Sequence, residues 1–268
     1  MLTEESIGKL FVAGILPGIL LSLFFILTVF IICLRNPALG PPGNRTTLRA
    51  KLGSLKGVIE TMVLFTLVIG GLFLGWFSPT QAGAIGGIGA LLIGLVRREL
   101  NWQKFVEASK DGLRTSCMVI FIITGATIFG HFMAISRIPF ILVDWMEGLA
   151  LPEMGIIGII VLIFFIGGFF MDSMALIVLL IPILFPLLNS LGIDLIWFGV
   201  ILVLVAEMGV ITPPVGVNVF VIKGIAPDIP IETIFKGIFP FLIALIFCTI
   251  LMMVFPQIAT FLPGFTTY

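Results

Sequence analysis

The sequence predicts an all-α integral membrane protein with about six transmembrane helices and two interrupted apolar segments. Of its 268 residues, 60% are hydrophobic and only 10% are charged. A soluble domain has about 45–50% apolar and about 25% charged residues, so the excess indicates lipid surroundings. The charges gather in short stretches between apolar runs, which indicates small loops. The formal net charge is zero, and this excludes the basic surface typical of nucleic-acid binding.

The first apolar run, residues 10–34, can cross a hydrocarbon core of about 30 Å at about 1.5 Å per residue. The loop that follows, residues 35–56, contains basic side chains and no acid. By the positive-inside rule this loop faces the cytoplasm, so the N-terminal end of the segment is predicted to lie outside. The bases of the loop are Arg35, Arg45, Arg49, Lys51 and Lys56.

A second crossing is predicted over residues 57–77 and a third over residues 79–96. Between them, Ser78 and Gln81 have the spacing of a capping box, and Pro79 occupies the first helical position. The third crossing is rich in small residues, which suit close helix packing in lipid. Two arginines directly after it predict a return to the cytoplasm.

Residues 101–116 mix polar and apolar side chains at helical spacing and predict an interfacial amphipathic helix at the cytoplasmic face. The fourth crossing, residues 117–135, leads to a short external loop. His131, in that crossing, fits a structural histidine better than a proton relay. After a cytoplasmic loop that Lys236 closes, the last crossing over residues 238–262 returns outward.

Residues 154–191 have two possible interpretations. Two apolar arms of about 17 residues, each about 26 Å long as a helix, flank Met171-Asp172-Ser173. They form either two crossings joined by a tight turn or a re-entrant hairpin whose tip stops inside the membrane. In the first case Asp172 is a turn residue and helix cap. In the second, Asp172 and Ser173 lie at a binding site, because an acid at mid-depth must be solvated, paired or used.

The apolar segment 195–222 is interrupted at Thr212-Pro213-Pro214. Two prolines remove two backbone donors, and in lipid such irregular backbone survives only where protein or a water-filled cavity satisfies it. Transporters use this arrangement: unwound carbonyls bind a cation, and the following half-helix directs its positive end at an anion. Asn218 would add an amide to such a site. A structural kink is the alternative, since membrane helices tolerate proline.

Glu207 lies in the same apolar segment, where an acid has either a functional or a helix-pairing role. The three cysteines form no C-x-x-C pair and are interpreted as small buried hydrophobic residues. The sequence contains no hydrolase, metalloprotease, P-loop or dinucleotide-binding motif. We therefore expect neither an enzyme nor an organic cofactor.

Four segments, AGILPGILL, GWFSPTQAGAIG, GGFFMDSMALIVLLIPILFPL and ITPPVGVNVFV, resemble in this order the large membrane subunit of TRAP transporters, the tripartite ATP-independent periplasmic uptake systems. The resemblance covers nearly the whole chain. It implies half of an elevator-type ion-transporter fold, in which each of two inverted repeats supplies a re-entrant hairpin and a broken helix. It therefore favours the hairpin interpretation, with Asp172, Ser173 and Met174 at the tip.

The resemblance also implies sodium-coupled uptake of a small carboxylate, with sodium near Asp172, Ser173 and Thr212. Oxygens at a broken helix could serve protons as well as sodium. The expected ion or substrate site consists of Asp172, Ser173, Met174, Glu207, Thr212, Pro213, Pro214, Gly216 and Asn218.

In this family a first repeat precedes the AGILPG motif, so we expect the chain to be the second half of a large subunit, completed by a first-repeat half. The other expected partners are a small membrane subunit, a periplasmic substrate-binding protein and the lipid bilayer of the bacterial inner membrane. A structural or assembly subunit without a transport site is the competing hypothesis. The predicted segments are a linking transmembrane helix (1–34), a cytoplasmic basic loop (35–56), scaffold helices with an interfacial arm (57–136), an external loop with the re-entrant hairpin (137–194), and the broken helix with the final crossing (195–268).

Overall fold

The computed structural model describes residues 6–40, 47–148, 152–214 and 216–265, and this part of the chain is helical, without a strand. Five of its helical segments are long and apolar enough to cross a membrane, and three shorter apolar helices accompany them. The predicted class, an all-α integral membrane protein, is confirmed. The α-helices are α1 (Ile7–Ala13), α2 (Ile15–Arg35), α3 (Leu48–Phe73), α4 (Pro79–Val96), α5 (Trp102–Ser136), α6 (Ile138–Gly148), α7 (Glu153–Gly168), α8 (Ser173–Ser190), α9 (Leu195–Ile211), α10 (Val217–Ile225), α11 (Ile231–Val254) and α12 (Gln257–Thr260).

The chain divides into two compact units, one drawn from Met1–Asn36 with Ile120–Tyr268 and the other from Pro37–Val119. In the first unit, α7 packs along α9, while α9 and α2 both pack along α11. Close van der Waals packing of this kind drives helix association in lipid. The most deeply buried side chains of the shared core are Ile157, Ile160, Phe164, Leu187, Leu188, Ile201, Val205 and Met252.

A buried hydrogen bond joins α9 to α11 within this core. The indole N–H of Trp197, a side chain only 3% exposed, donates to the carbonyl of Met252 at 2.9 Å. That carbonyl would normally accept from the amide four residues later, but Pro256 has no amide hydrogen. The indole therefore satisfies a buried acceptor that the proline leaves free.

The second unit contains the helix pair α3 and α4. The predicted capping box is confirmed: the Ser78 hydroxyl accepts from the Gln81 amide at 3.3 Å, and the Gln81 side chain accepts from the Ser78 amide at 2.9 Å. At the other end of α4, the Arg97 guanidinium donates to the Glu60 carboxylate of α3 at 2.6 Å. Both ends of α4 are therefore held by side-chain contacts.

Several boundaries differ from those that the sequence predicts. The interfacial helix and the fourth crossing form the single helix α5, because the joining stretch lacks proline and Gly112 alone disfavours a helix by only about 1 kcal/mol. The expected loop after α5 contains α6, whose apolar side chains are compatible with a helix. Helix α3 begins at Leu48, inside the predicted basic loop, and residues 41–46 of that loop lie outside the described residues.

The final crossing starts earlier than the sequence indicates. Helix α11 begins at Ile231, directly after Pro230, whose restricted φ suits the start of a helix. The prediction that Lys236 lies in a loop is therefore wrong, and this lysine belongs to the second turn of α11. The helix ends at Val254, two residues before Pro256.

Candidate functional site

The first interruption lies between α7 and α8. Helix α7 ends at Gly168, and the amides of the next three residues donate back to carbonyls of its last turn. Asp172 caps α8, because its Oδ2 accepts from the Met174 amide at 3.0 Å. The Asp172 side chain is exposed, and within the described residues its Oδ1 has no hydrogen-bond partner. Asp172 is thus a helix cap, which both interpretations of this region permit, and the depth of the turn in the membrane stays a prediction.

The second interruption lies between α9 and α10. The first residue after α9 is Thr212, whose hydroxyl donates to the Met208 carbonyl at 2.5 Å. That hydrogen bond uses the hydroxyl proton and leaves the oxygen lone pairs available as acceptors. The Pro213–Pro214 peptide bond is cis, and Val215 lies outside the described residues.

Gly216 starts α10 in a conformation that few other residues adopt. Its φ of 57° lies in the left-handed region, where a side chain collides with the backbone. A Cβ atom at this position would also stand 3.0 Å from the ring of Phe235 in α11. Glycine is therefore required here both by backbone conformation and by the neighbouring helix.

A contact between two glycines brings the interruptions together. A Cβ on Gly168 would lie 2.8 Å from the Gly209 Cα, and a Cβ on Gly209 would lie 2.5 Å from the Gly168 Cα. Non-bonded carbon atoms keep about 3.5–4.0 Å apart, so the backbones of α7 and α9 touch here. Gly168 ends α7 and Gly209 lies three residues before Thr212. The C-terminal ends of both helices therefore meet beside both interruptions.

This meeting of helix ends has an electrostatic consequence. The C-terminus of a helix carries a partial negative charge and the N-terminus a partial positive charge. Carbonyl ends of α7 and α9 meet, and carbonyl, carboxylate and hydroxyl oxygens are the donors that hard cations prefer. Helices α8 and α10 start from the same two interruptions. Asp172 caps the first of them, whereas no described side chain caps the second, where the Val219 amide donates to the Gly216 carbonyl at 2.8 Å. The positive end of α10 is therefore not neutralised by a carboxylate and is compatible with an anion.

The structure brings the predicted segments together without completing a set of side-chain ligands. Ser173 and Met174 form the first turn of α8, and Met174 is half exposed. Asn218 is an exposed side chain in the first turn of α10. Glu207 is exposed on α9, and its carboxylate makes no ion pair with any described residue. Nor do the described residues gather three or more histidine, cysteine, aspartate or glutamate side chains around one point.

Sequence reasoning missed the two contacting glycines. It treats Gly168 only as part of the hairpin motif and does not single out Gly209. The available signal was their position, because small residues in apolar helices mark places where backbones approach closely. Each glycine also lies within four residues of an interruption.

An apolar cavity of about 210 Å³ adjoins the second interruption. Lys236 is its only charged lining residue, so a positive side chain lies near Pro213. The cavity is lined by Ile211, Pro213, Phe235, Lys236, Ile238, Phe239 and Leu242.

Comparison with known proteins gives consistent matches. A family model described as the DctM component of the tripartite ATP-independent periplasmic transporter matches residues 1–258. The sialic acid TRAP transporter large permease protein SiaM of Vibrio cholerae is 33% identical over 264 residues, which are 98% of this chain and 61% of that protein. The C4-dicarboxylate TRAP transporter large permease protein DctM of Pseudomonas aeruginosa is 32% identical over 263 residues, with the same coverage.

A third relative, the isethionate TRAP transporter permease protein DctMQ of Oleidesulfovibrio alaskensis, is 35% identical over 263 residues, 97% of this chain and 41% of that protein. The chain thus spans about three fifths of the length of the first two relatives. All three are named as permeases, which are not enzymes, and this confirms the expectation that the chain does not catalyse a reaction.

Proposed function

Because the chain belongs to the large-permease family of tripartite ATP-independent periplasmic transporters, we propose that it takes part in sodium-coupled uptake of a small organic acid. The observation that supports this most directly is the contact between Gly168 and Gly209, which sets the two interrupted segments side by side. Transporters bind substrate and coupling ion at such discontinuous helices.

Sodium fits the oxygen donors near the contact. The free Oδ1 of Asp172 and the lone pairs of the Thr212 hydroxyl both lie in the interruptions, and the hydroxyl of Ser173 follows directly in the chain. Together with the carbonyl ends of α7 and α9 they form a hard, negatively polarised environment. We assign the coupling ion to this group of oxygens.

The carried anion fits the start of α10. The amides of its first turn are not capped by any side chain, Asn218 adds an amide group, and Lys236 contributes a positive charge near Pro213. The relatives are named for sialic acid, C4-dicarboxylates and isethionate, which are all organic anions. We propose a small carboxylate as the substrate, as in the first two of these names.

Partners and location follow from the family. We propose that the chain lies in the bacterial inner membrane with both ends of this segment in the periplasm. There it works with a small membrane subunit and receives substrate from a periplasmic binding protein. Since the relatives are longer, we further propose that a first repeat supplies the other half of the site. In an alternating-access cycle of the elevator type, the packed helices α7, α8, α9 and α11 would move as one body.

Sodium-dependent uptake by the complete transporter in proteoliposomes tests this proposal. Asp172→Ala and Thr212→Ala should each reduce uptake at least tenfold, which corresponds to about 1.4 kcal/mol of lost binding or transition-state stabilisation. Expression and assembly with the small membrane subunit should stay normal. Unchanged uptake and sodium dependence in both variants would contradict the site.

The same preparation distinguishes a purely structural subunit. A cysteine at Met171, in the first interruption, should react with membrane-impermeant reagents from either side as the transporter cycles. A structural turn should react from one side only, with or without sodium and substrate.

A further inference from the structure

We infer that Gly168 and Gly209 are positioning residues for the coupling cation, an inference that rests on the proposed sodium-coupled function. Their backbone contact sets the distance between the carbonyl ends of α7 and α9. Neither glycine offers a side chain to an ion, and each lies within four residues of an interruption whose oxygens we assign to the ion. Because they lack side chains, they allow the two helix backbones to touch.

The surroundings of the contact show why glycine is needed at both positions. A Cβ on Gly168 would meet the Gly209 Cα at 2.8 Å and the Ala206 carbonyl oxygen at 3.5 Å. A Cβ on Gly209 would meet three backbone atoms of Gly168 between 2.5 and 3.2 Å. Backbone atoms of two packed helices cannot turn aside as a side chain can. An added methyl group must therefore push the helix ends apart by roughly 1 Å to restore normal carbon–carbon distances.

Two other glycines on α7 allow the surroundings of Gly168 to be compared with less crowded positions. A Cβ on Gly158 would meet no atom within 4 Å. A Cβ on Gly167 would meet the Leu176 side chain, with its Cδ1 at 2.6 Å, and that chain end can rotate away. On this one helix, an added Cβ would thus meet open space at Gly158, a movable side chain at Gly167 and a fixed backbone at Gly168.

Cation affinity depends on this spacing because ion–oxygen distances in a binding site are fixed to within about 0.2 Å. A separation of roughly 1 Å between the helix ends cannot be absorbed without losing carbonyl ligands or weakening their field. The change should raise the sodium concentration needed for half-maximal response. The maximal uptake rate at saturating sodium should change much less, because the groups that bind the organic anion lie on α10.

The test uses the complete transporter with single substitutions Gly168→Ala, Gly209→Ala, Gly167→Ala and Gly158→Ala. Sodium is titrated in uptake assays and, independently of transport, in thermal unfolding of the purified complex. We expect the half-saturating sodium concentration to rise at least tenfold, about 1.4 kcal/mol, in Gly168→Ala and Gly209→Ala. It should rise less than twofold in the control Gly158→Ala. The rise in Gly167→Ala should equal that of the control or lie between it and the tenfold rise of Gly168→Ala.

The double variant Gly168→Ala/Gly209→Ala should bind sodium about as well as the weaker single variant, because the contact is lost once. Half-saturating sodium within twofold of the wild-type value in both single variants overturns the inference. Absence of any sodium response in the wild-type transporter contradicts the proposed function instead, so the two failures are distinguishable.

A distance measurement keeps the inference testable if the alanine variants fail to assemble. Spin labels at Ile166→Cys, near the C-terminal end of α7, and Val203→Cys, in the middle of α9, both exposed positions, report the separation of the two helices. The distance should be the same with and without sodium and substrate, since a backbone contact holds it. A change of about 5 Å, one helical turn, would show that the glycines separate during the cycle and would overturn the inference.

Discussion

The two interruptions lie beside one another, yet they satisfy their backbone groups in different ways. At the first, three amides fold back onto α7 and the Asp172 carboxylate caps α8. At the second, two prolines supply no amide hydrogen and α10 starts from Gly216 without a side-chain cap. The first interruption is therefore capped by a negative charge, and the second has no side-chain cap.

In the proposed function, this difference suits the two interruptions to ligands of opposite charge. The Asp172 carboxylate already occupies the positive end of α8, and in the proposed function its Oδ1 is a ligand of the cation. An organic anion would be repelled there and attracted to the uncapped start of α10. In the proposed function, the cation therefore belongs mainly at the hairpin turn and the anion mainly at the broken helix.

The largest expected effect concerns the uncapped interruption. Gly216→Ala should destabilise the protein by about 1–2 kcal/mol through the left-handed backbone alone, and the Phe235 ring should add to this loss. Gly224→Ala in the same helix is the matched control, because a Cβ there meets no atom within 4 Å. Thermal unfolding of the reconstituted transporter measures both. Equal stability of the two variants would show that α10 does not start at Gly216 as described.

A second prediction separates the two roles of Asp172. Asp172→Ala should cost about 0.5–2 kcal/mol of stability because the α8 cap is lost, whereas Asp172→Asn keeps an oxygen for the Met174 amide and should unfold near the wild-type temperature. Both should weaken sodium binding by a similar factor, since both remove the charge.

Asp194 provides the control for that experiment. It caps α9 by accepting from the Ile196 and Trp197 amides at 2.9 and 3.0 Å, at the opposite end of the helix from Gly209. Asp194→Asn should leave half-saturating sodium unchanged in uptake assays. If it weakened sodium binding as much as Asp172→Asn does, the assignment of the cation to the hairpin turn would be wrong.

The smallest change in stability is expected at Asn218, where a substitution should stabilise the protein and at the same time weaken substrate binding. An Asn218→Asp substitution places a carboxylate in the first turn of α10 and should stabilise that helix by roughly 0.3–1 kcal/mol. The same charge should repel the substrate anion and raise its KM without a comparable change in half-saturating sodium. A KM equal to that of the wild type would show that the substrate anion does not bind at the start of α10.

Much of this architecture could be predicted from the sequence. Both interruptions appear as a polar or proline-rich break within a long apolar run, and the Ser78–Gln81 capping box follows from local backbone chemistry. Such features depend on residues close together in the chain, which is why pattern alone detects them.

Features that depend on tertiary packing could not be predicted in this way. Sequence periodicity does not show which face of α7 meets α9, so the contact between Gly168 and Gly209 became evident only from the structure. The membership of Lys236 in α11 was missed for another reason, since a charged residue near a helix end looks like part of a loop. The predicted roles of Asp172, Ser173, Met174, Thr212 and Asn218 in binding remain predictions for the experiments above.

The hydrogen bond between Trp197 and Met252 gives the protein a built-in optical reporter. The chain has four tryptophans, and Trp76, Trp102 and Trp145 are 67%, 77% and 62% exposed, whereas Trp197 is 3% exposed. Its indole is therefore enclosed by protein and hydrogen-bonded at a fixed place between α9 and α11. A variant that retains Trp197 alone would emit from this one environment, and its fluorescence would follow the packing of those helices as ions and substrate are added.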